Sequence, residues 1–374
     1  MAPRKVLVVG GSLDHLGGVE AFCDRAAEAL RAAGGAWQSE RIAASTAYLT
    51  MRRLPALFHG LAQLAAHRRV NRPDIVWLQY VNLPDLLYLI TARLLGMRVM
   101  VTPHLGSNWR SQSNRFLRRI SERTLRLAER LALISWTQEV EIGLPRLLPR
   151  SLIRNFLPLE VLTAPLADTA AMPPELQLIH SSRLSEGKGT FMVVEVCGRL
   201  RDMGVPFTAR ITGIGDAATM DRLHAMIAER DLGDQVLVLG RVPEAELLDH
   251  LRQSDVLVHL SRIDSYPLIV LEAMACSATP IALELPGVRD MVETYCGKVV
   301  SAADTVEETV EWLRACDLVA LRASRTETAA RVRADYDWSR CASALAAALN
   351  ACLKRDRHTT TQPALVDEGS SRSA

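Results

Sequence analysis

The sequence predicts an α/β protein in which two doubly wound domains face one another across a cleft. Three observations carry this. Short apolar runs of strand length alternate with amphipathic helical patterns, first over residues 5 to 135 and again over 176 to 283. A proline-punctuated stretch from Gly143 to Pro174 separates the two series and reads as the interdomain connection. The 374 residues, 49% of them apolar, are enough for two domains that each bury a core.

Taken in order, Lys5 to Val9 has the apolar character of a buried parallel strand, and Gly10, Gly11, Gly17 and Gly18 follow before a helical pattern over Val19 to Ala33. Glycine lets backbone N–H groups approach a sugar or phosphate without a Cβ in the way. The spacing matches neither the dinucleotide fingerprint nor the P-loop, and a tight turn accounts for it equally well. A helix over Leu54 to Arg69, a strand at Asp74 to Tyr80, a helix across Leu83 to Leu95 and a strand at Arg98 to Thr102 come next. A basic helix from Arg110 to Arg130 and a strand at Leu131 to Ser135 complete the first series. Ligands of such sheets sit beyond the carboxyl ends of the strands. His104, in VTPHLGSN, stands two residues past one of these ends between Pro103 and Gly106, so it either projects into the crevice or is a structural loop histidine.

The second series runs strand Leu176 to Ser181, loop Arg183 to Gly189, helix to Met203, strand Phe207 to Thr212, Gly213 and Gly215, and helix Ala217 to Arg230. Strand Gln235 to Leu239, helix Glu244 to Arg252, strand Val256 to Leu260, a further helix and strand Pro280 to Leu283 follow. In the RLSEGKG loop, Arg183 and Lys188 put a guanidinium and an ammonium where a diphosphate would lie, although an ordinary loop with solvated charges has the same composition. The stretch Asp264 to Pro280, DSYPLIVLEAMACSATP, is the centre of the chain. Ser265 is a plausible cap and Pro267 suits the first position of a helix. Glu272 then lies about 7.5 Å along the axis, leaning back toward Asp264, so both carboxylates are expected to face one volume. The positive end of the helix faces the same volume and suits a phosphate. Helical patterns fill Asp304 to Ala334 and Trp338 to Leu353, ahead of a polar tail from Arg357 that is expected to be disordered.

Composition narrows the setting. The formal net charge of +2 hides +11 through Asn155 and −9 thereafter. Arginines recur every three or four residues between Arg110 and Arg130, with Leu117, Ile120, Leu125 and Leu127 partly opposite. Such a face meets anionic membranes, or is simply a solvated arginine face. Nucleic acid is not expected, since few aromatics interleave the charges. Seven scattered cysteines without metal or redox spacing point to a reducing cytosol. No signal-length apolar core follows Arg4 and Lys5, and Asp85 and Arg93 interrupt the most apolar run, so neither export nor a membrane span is expected.

Together these motifs resemble the retaining, GT-B type glycosyltransferases of family 4, the group 1 glycosyl transferases. RLSEGKG is similar to that family's G-R-L-x-x-x-K-G segment and GIGD to its G-x-G. VLGRVPEAEL and SDVLVHLS resemble the strands that follow, DSYPLIVLEAMACSATPIA the E-F-G-L-x-x-x-E-A-M-A-x-G-x-P-V-I-A signature, and GGVE the N-terminal acceptor loop. The resemblance spans roughly residues 5 to 350 and is stronger in the second half. It implies a Rossmann-like acceptor domain over 1–160 and a Rossmann-like nucleotide-sugar domain over 161–337. A helix over 338–355 would return to the first domain, and 356–374 would be tail.

The resemblance also implies roles. Arg183 and Lys188 would hold the donor diphosphate, Glu272 the ribose hydroxyls and Asp264 hydroxyls of the transferred sugar. His104 would lie by the reacting carbon and Gly17 and Gly18 beside donor phosphate and acceptor, with Gly213, Arg241, Leu268 and Ile269 completing the donor site. The implied partners are a UDP- or GDP-sugar and a glycan acceptor of the lipid-linked kind used in surface polysaccharide or glycolipid synthesis, with no metal and no cofactor. Three departures stand out: Asp264 where Glu is usual, Pro267 where Gly is common, and Ser277 in place of Gly in the A-x-G-x-P turn. A hydrolase would need both carboxylates across one glycosidic bond, not beside a phosphate-binding helix. Asp335 and Asp337 sit late, at a helix junction, and are not expected to bind metal. A catalytically silent nucleotide-sugar sensor or scaffold remains the alternative.

Overall fold

The computed structural model describes residues 3–11, 17–34, 36–44, 54–166 and 172–354. The tail expected beyond Arg357 lies outside these residues.

The first half runs β1 (Arg4–Val9), α1 (Gly18–Ala32), β2 (Trp37–Ile42), α2 (Leu54–Val70), β3 (Ile75–Tyr80), α3 (Leu86–Leu94) and β4 (Val99–Pro103). After these come α4 (Arg110–Ser113), α5 (Arg115–Leu125), β5 (Arg130–Leu133), α6 (Gln138–Glu141), β6 (Arg150–Leu152) and α7 (Leu159–Thr163). Its sheet has the order β2-β1-β3-β4-β5-β6 with parallel pairing throughout. The second half runs β7 (Leu176–Ser181), α8 (Thr190–Asp202), β8 (Phe207–Thr212), α9 (Ala217–Glu229), β9 (Val236–Gly240), α10 (Glu244–Arg252) and β10 (Val256–His259). It continues with α11 (Leu268–Ala275), β11 (Thr279–Leu283), α12 (Pro286–Thr294), β12 (Lys298–Val300), α13 (Thr305–Ala315), α14 (Leu318–Asp335) and α15 (Trp338–Leu353). Its sheet, also parallel, has the order β12-β11-β10-β7-β8-β9.

Helices cover both faces of each sheet because the central strands are apolar on both sides. Every residue of β3 and β4 is buried, as is every residue of β7 and β10. The last described helix, α15, packs Trp338, Leu345 and Leu349 into the core beneath α1 and β1, and so returns to the first domain. Arg154 stacks over Tyr336 at the junction of α14 and α15, with its guanidinium 5.4 Å from the ring centre.

The structure corrects the expected elements in two places. The stretch from Gly143 to Pro174 is not all connector: Arg150–Leu152 adds β6 to the first sheet, and Val161 of α7 packs into the second domain's core. The basic segment is not one helix from Arg110 to Arg130, because Asn114 breaks it and caps α5 through the amides of Phe116 and Leu117. Arg130 belongs to β5, where it is buried and donates to the Arg150 carbonyl.

Candidate functional site

In a doubly wound sheet the ligand crevice opens where strand order reverses. For the second sheet that point lies between β7 and β10, so the loops after these two strands flank the opening. Gly189, at φ +77°, ends the first loop, and a Cβ there would come within 2.4 Å of the Leu260 carbonyl oxygen. Glycine alone lets the loop lie this close to the one after β10. Lys188 Nζ thereby reaches Asp264 Oδ1 at 2.5 Å.

Asp264 is held from its other side as well. His259, the last residue of β10, brings Nε2 within 2.9 Å of Asp264 Oδ2. Burial alone would raise this carboxyl, but the hydrogen bond and charge of His259, together with Lys188, hold it well below the usual carboxylate range. Beneath the pair, His180 donates Nδ1–H to the Val258 carbonyl at 2.9 Å, while Ser182 Oγ lies 3.1 Å from Nε2. Burial pushes His180 down to about 4, so it is neutral at pH 7.

Pro267 is the N-cap of α11, not its first helical residue, and no side chain caps the helix. Ser265 is not the cap either: its hydroxyl donates to Glu141 Oε2 at 3.0 Å, from the second domain to the first. The free amides of the first turn therefore stand just past Asp264. Glu272 is buried one turn further on, where Oε1 accepts from Arg25 of α1 at 2.8 Å. The two carboxylates are thus engaged by different cations, Asp264 by Lys188 and Glu272 by Arg25. Ser277 keeps the turn after α11 by adopting φ +71°, the left-handed conformation that glycine takes without strain.

The opposite wall comes from the first domain. His104 bonds its amide to the Tyr80 carbonyl at 2.7 Å, its Nε2 lies 2.8 Å from Gln79 Oε1, and its ring meets Phe22 edge-on at 5.0 Å. Burial lowers it to about 4, so the ring is neutral at pH 7. With Nε2–H donating to the amide oxygen, Nδ1 is the acceptor. Glu141 joins this loop to the other wall: Ser107 donates its amide to Oε1 at 3.3 Å while Ser265 holds Oε2. Burial raises the Glu141 carboxyl, an effect its two hydrogen bonds only partly offset. The Asn108 side-chain amide, finally, donates to the Arg262 carbonyl.

Of the expected site residues, the structure brings Lys188, Asp264, Glu272, Leu268, Gly18 and the His104 loop to this cleft. Gly18 faces Leu268, with a built Cβ only 3.6 Å from Leu268 Cδ1, and Gly17 is the N-cap of α1. Arg183 and Arg241 are exposed on the flanking loops, and Ile269, in the first turn of α11, is partly buried against the second domain's core. Gly213 has φ +121° and donates to the Gly240 carbonyl at 2.7 Å, and a Cβ there would overlap the Ser182 carbonyl. Asp335 accepts from Tyr295 and Asp337 caps α15, so both are engaged structurally. Among the described residues no group of three or more His, Cys, Asp or Glu could hold a metal ion.

Three site residues went unread in the sequence. Arg25 interrupts the buried stripe of α1 formed by Phe22, Ala26, Ala29 and Leu30, a readable anomaly. His259 ends an apolar strand just as His104 follows one. Glu141 gave no signal, since its partners come from two distant loops.

Two parallel doubly wound sheets with such a cleft between them form the GT-B architecture of glycosyltransferases, and the crystal structure of Anabaena Alr3699/HepE in complex with UDP and glucose shares it. That structure superposes with a TM-score of 0.72 at 15% identity, over 93% of this chain and 100% of that one. Residues 168–330 match the family described as glycosyl transferases group 1. Over 124 residues the chain is 32% identical to the putative colanic acid biosynthesis glycosyltransferase WcaL of Escherichia coli strain K12, covering 32% of this chain and 30% of that protein. Over 180 residues it is 31% identical to the lipopolysaccharide core biosynthesis mannosyltransferase LpcC of Rhizobium leguminosarum bv. viciae, covering 47% of this chain and 51% of that protein. By these alignments the chain spans about half the length of the curated relatives, or less.

Proposed function

We propose that the chain is a retaining, metal-independent glycosyltransferase. It moves a sugar from a UDP- or GDP-sugar to a hydroxyl of a glycan acceptor, lipid-linked, in the synthesis of a surface polysaccharide or glycolipid. The observation that carries this reading is the Lys188–Asp264 pair set at the switch point of the second sheet, with Asp264 four residues before the first residue of α11. The names of the relatives, which concern colanic acid and lipopolysaccharide core, support the pathway class, and the neighbour bound to UDP and glucose supports a nucleotide-sugar donor.

In this reading the ammonium of Lys188, the guanidinium of Arg183 and the amides of α11 meet the diphosphate, whose charge grows as the glycosidic bond breaks. Asp264 is already fixed on both oxygens, so it aligns Lys188 and presents its remaining lone pairs to hydroxyls of the sugar. Neutral His104 lies on the acceptor side, where Nδ1 accepts a hydrogen bond without adding charge beside an oxocarbenium-like sugar. The reaction needs no protein nucleophile, because the departing diphosphate takes the acceptor's proton on the same face.

The cytosolic face of a membrane suits such an acceptor. On α5, Phe116 is 70% exposed and Ile120 stands out among Arg115, Arg118, Arg119 and Arg123, with Leu127 exposed just past the helix end. Phe116 and Ile120 therefore share the cationic side while Leu125 is buried on the other, which favours shallow insertion into an anionic surface over a purely solvated face. No helix among the described residues is long and apolar enough to cross a membrane.

The test is release of nucleoside diphosphate from UDP- and GDP-sugars with a lipid-linked glycan acceptor. Acceptor-dependent release with the anomeric configuration kept supports the reading. Donor binding without any release identifies a silent sensor or scaffold instead.

A further inference from the structure

Arg25 is a first-domain residue whose guanidinium reaches across to Glu272 and Glu244 of the second domain. It is 7% exposed, although it sits on a helix with ample solvent on its other faces. Nη1 donates to Glu272 Oε1 at 2.8 Å and to the Phe156 carbonyl at 3.2 Å, and Nη2 donates to Glu244 Oε2 at 2.6 Å. The three acceptors come from α11, from the stretch connecting the domains, and from the start of α10. A buried guanidinium is tolerated only with partners of this quality, and the fork fixes where each carboxylate points.

The bond to Arg25 does not use up Glu272. A carboxylate offers about four lone-pair sites on its two oxygens, so it can accept from Arg25 and from two hydroxyls together. A nucleoside 2′,3′-diol presents two such donors side by side. We propose that Arg25 is a positioning residue for the donor ribose, holding Glu272 from the opposite wall so that its carboxylate faces the diol and making ribose recognition depend on the closed arrangement of the two domains. The inference rests on the donor reading above, in which Glu272 takes the ribose. The contacts of Arg25 are to Glu272, Glu244 and the Phe156 carbonyl, so in this reading its removal acts on the ribose through Glu272.

That selectivity supplies a readout a merely structural residue would not move. Titration calorimetry of the whole chain compares UDP with 2′-deoxyuridine diphosphate, and GDP with its 2′-deoxy form. The wild type is expected to prefer the ribose form by about tenfold, and Arg25→Gln to bring that ratio to about one while its affinity for the deoxy form stays within about twofold. Arg25→Lys keeps the buried cation, and with it the fold, but a single ammonium lacks the fork; it is expected to lower the ratio about threefold and decides the question should Arg25→Gln not fold. Full preference in a folded variant, or equal loss of both affinities, overturns the assignment to Arg25. Binding of none of these nucleotides by the wild type overturns the donor reading, and the inference with it.

Discussion

Lys188 Nζ lies 2.5 Å from Asp264 Oδ1, joining the loop after β7 to the loop after β10 across the switch point of the second sheet. Both side chains are only 17% exposed, so the ammonium is fixed before a ligand arrives. A contact worth about 3 kcal/mol in the transition state corresponds to a rate factor on the order of 10². Lys188→Ala is therefore expected to slow turnover about 100-fold while its unfolding transition stays cooperative. Steady-state kinetics beside calorimetry check this, and near-normal turnover would remove Lys188 from the reaction.

Much of this arrangement could be read from the chain, and what could not has a common cause. The central strands β3, β4, β7 and β10 announce themselves as apolar runs because both their faces are covered. The unread strands, β2, β6 and β12, all lie at sheet edges. β2, WQSERI, exposes its middle, while β6 and β12 have three residues each, so none carries the hydrophobic pattern that burial imposes. The site follows the same logic. Lys188, Asp264 and Glu272 belong to local motifs with fixed spacing, whereas Arg25 and Glu141 acquire meaning only when the two domains meet.

Ser277 holds φ +71° at the turn between α11 and β11, buried and with no hydrogen-bond partner for its hydroxyl among the described residues. A non-glycine residue in this conformation costs roughly 1–2 kcal/mol, part of which glycine returns through the greater freedom of its unfolded chain. Ser277→Gly is expected to stabilise the protein by about 1 kcal/mol, seen as a rise of a few degrees in melting temperature. A fall in melting temperature would show that the hydroxyl matters more than the strain.

His104 and His180 are buried with pKa values lowered to about 4, whereas the unfolded chain protonates both near 6.5. Between these values the unfolded state binds more protons, so stability rises with pH and is lost as pH falls from about 6.5 toward 4. Each contributes on the order of 2 kcal/mol across that window. Glu141, whose carboxyl burial raises, opposes the slope just above the ordinary carboxylate range. Asp264 adds its own loss only below about pH 3.9, since its carboxyl is depressed in the folded state. Melting temperatures are expected to drop steeply from pH 6.5 to 4.5, and a flat profile would contradict the burial of these imidazoles.

The exposed side of α5 predicts salt-sensitive membrane binding. Sedimentation with vesicles of phosphatidylglycerol and phosphatidylcholine should bring down the protein at low salt and lose it as ionic strength shortens the Debye length to about 8 Å. Replacing Arg118, Arg119 and Arg123 with Gln should abolish the low-salt binding, and Phe116→Ser should weaken it at every salt concentration. Failure of the unaltered chain to sediment at low salt would leave α5 a solvated arginine face.

The central claim is that the cleft beside Lys188 takes a nucleoside diphosphate sugar. Thermal unfolding in the presence of UDP-, GDP- and dTDP-sugars tests it most directly, because a ligand at 100 times its Kd stabilises the folded state by about 2.7 kcal/mol. The wild type should be protected by a UDP- or GDP-sugar, and Lys188→Ala should need at least about tenfold more of it for the same shift. Absence of protection by any of the three, or equal protection of wild type and Lys188→Ala, would contradict the account.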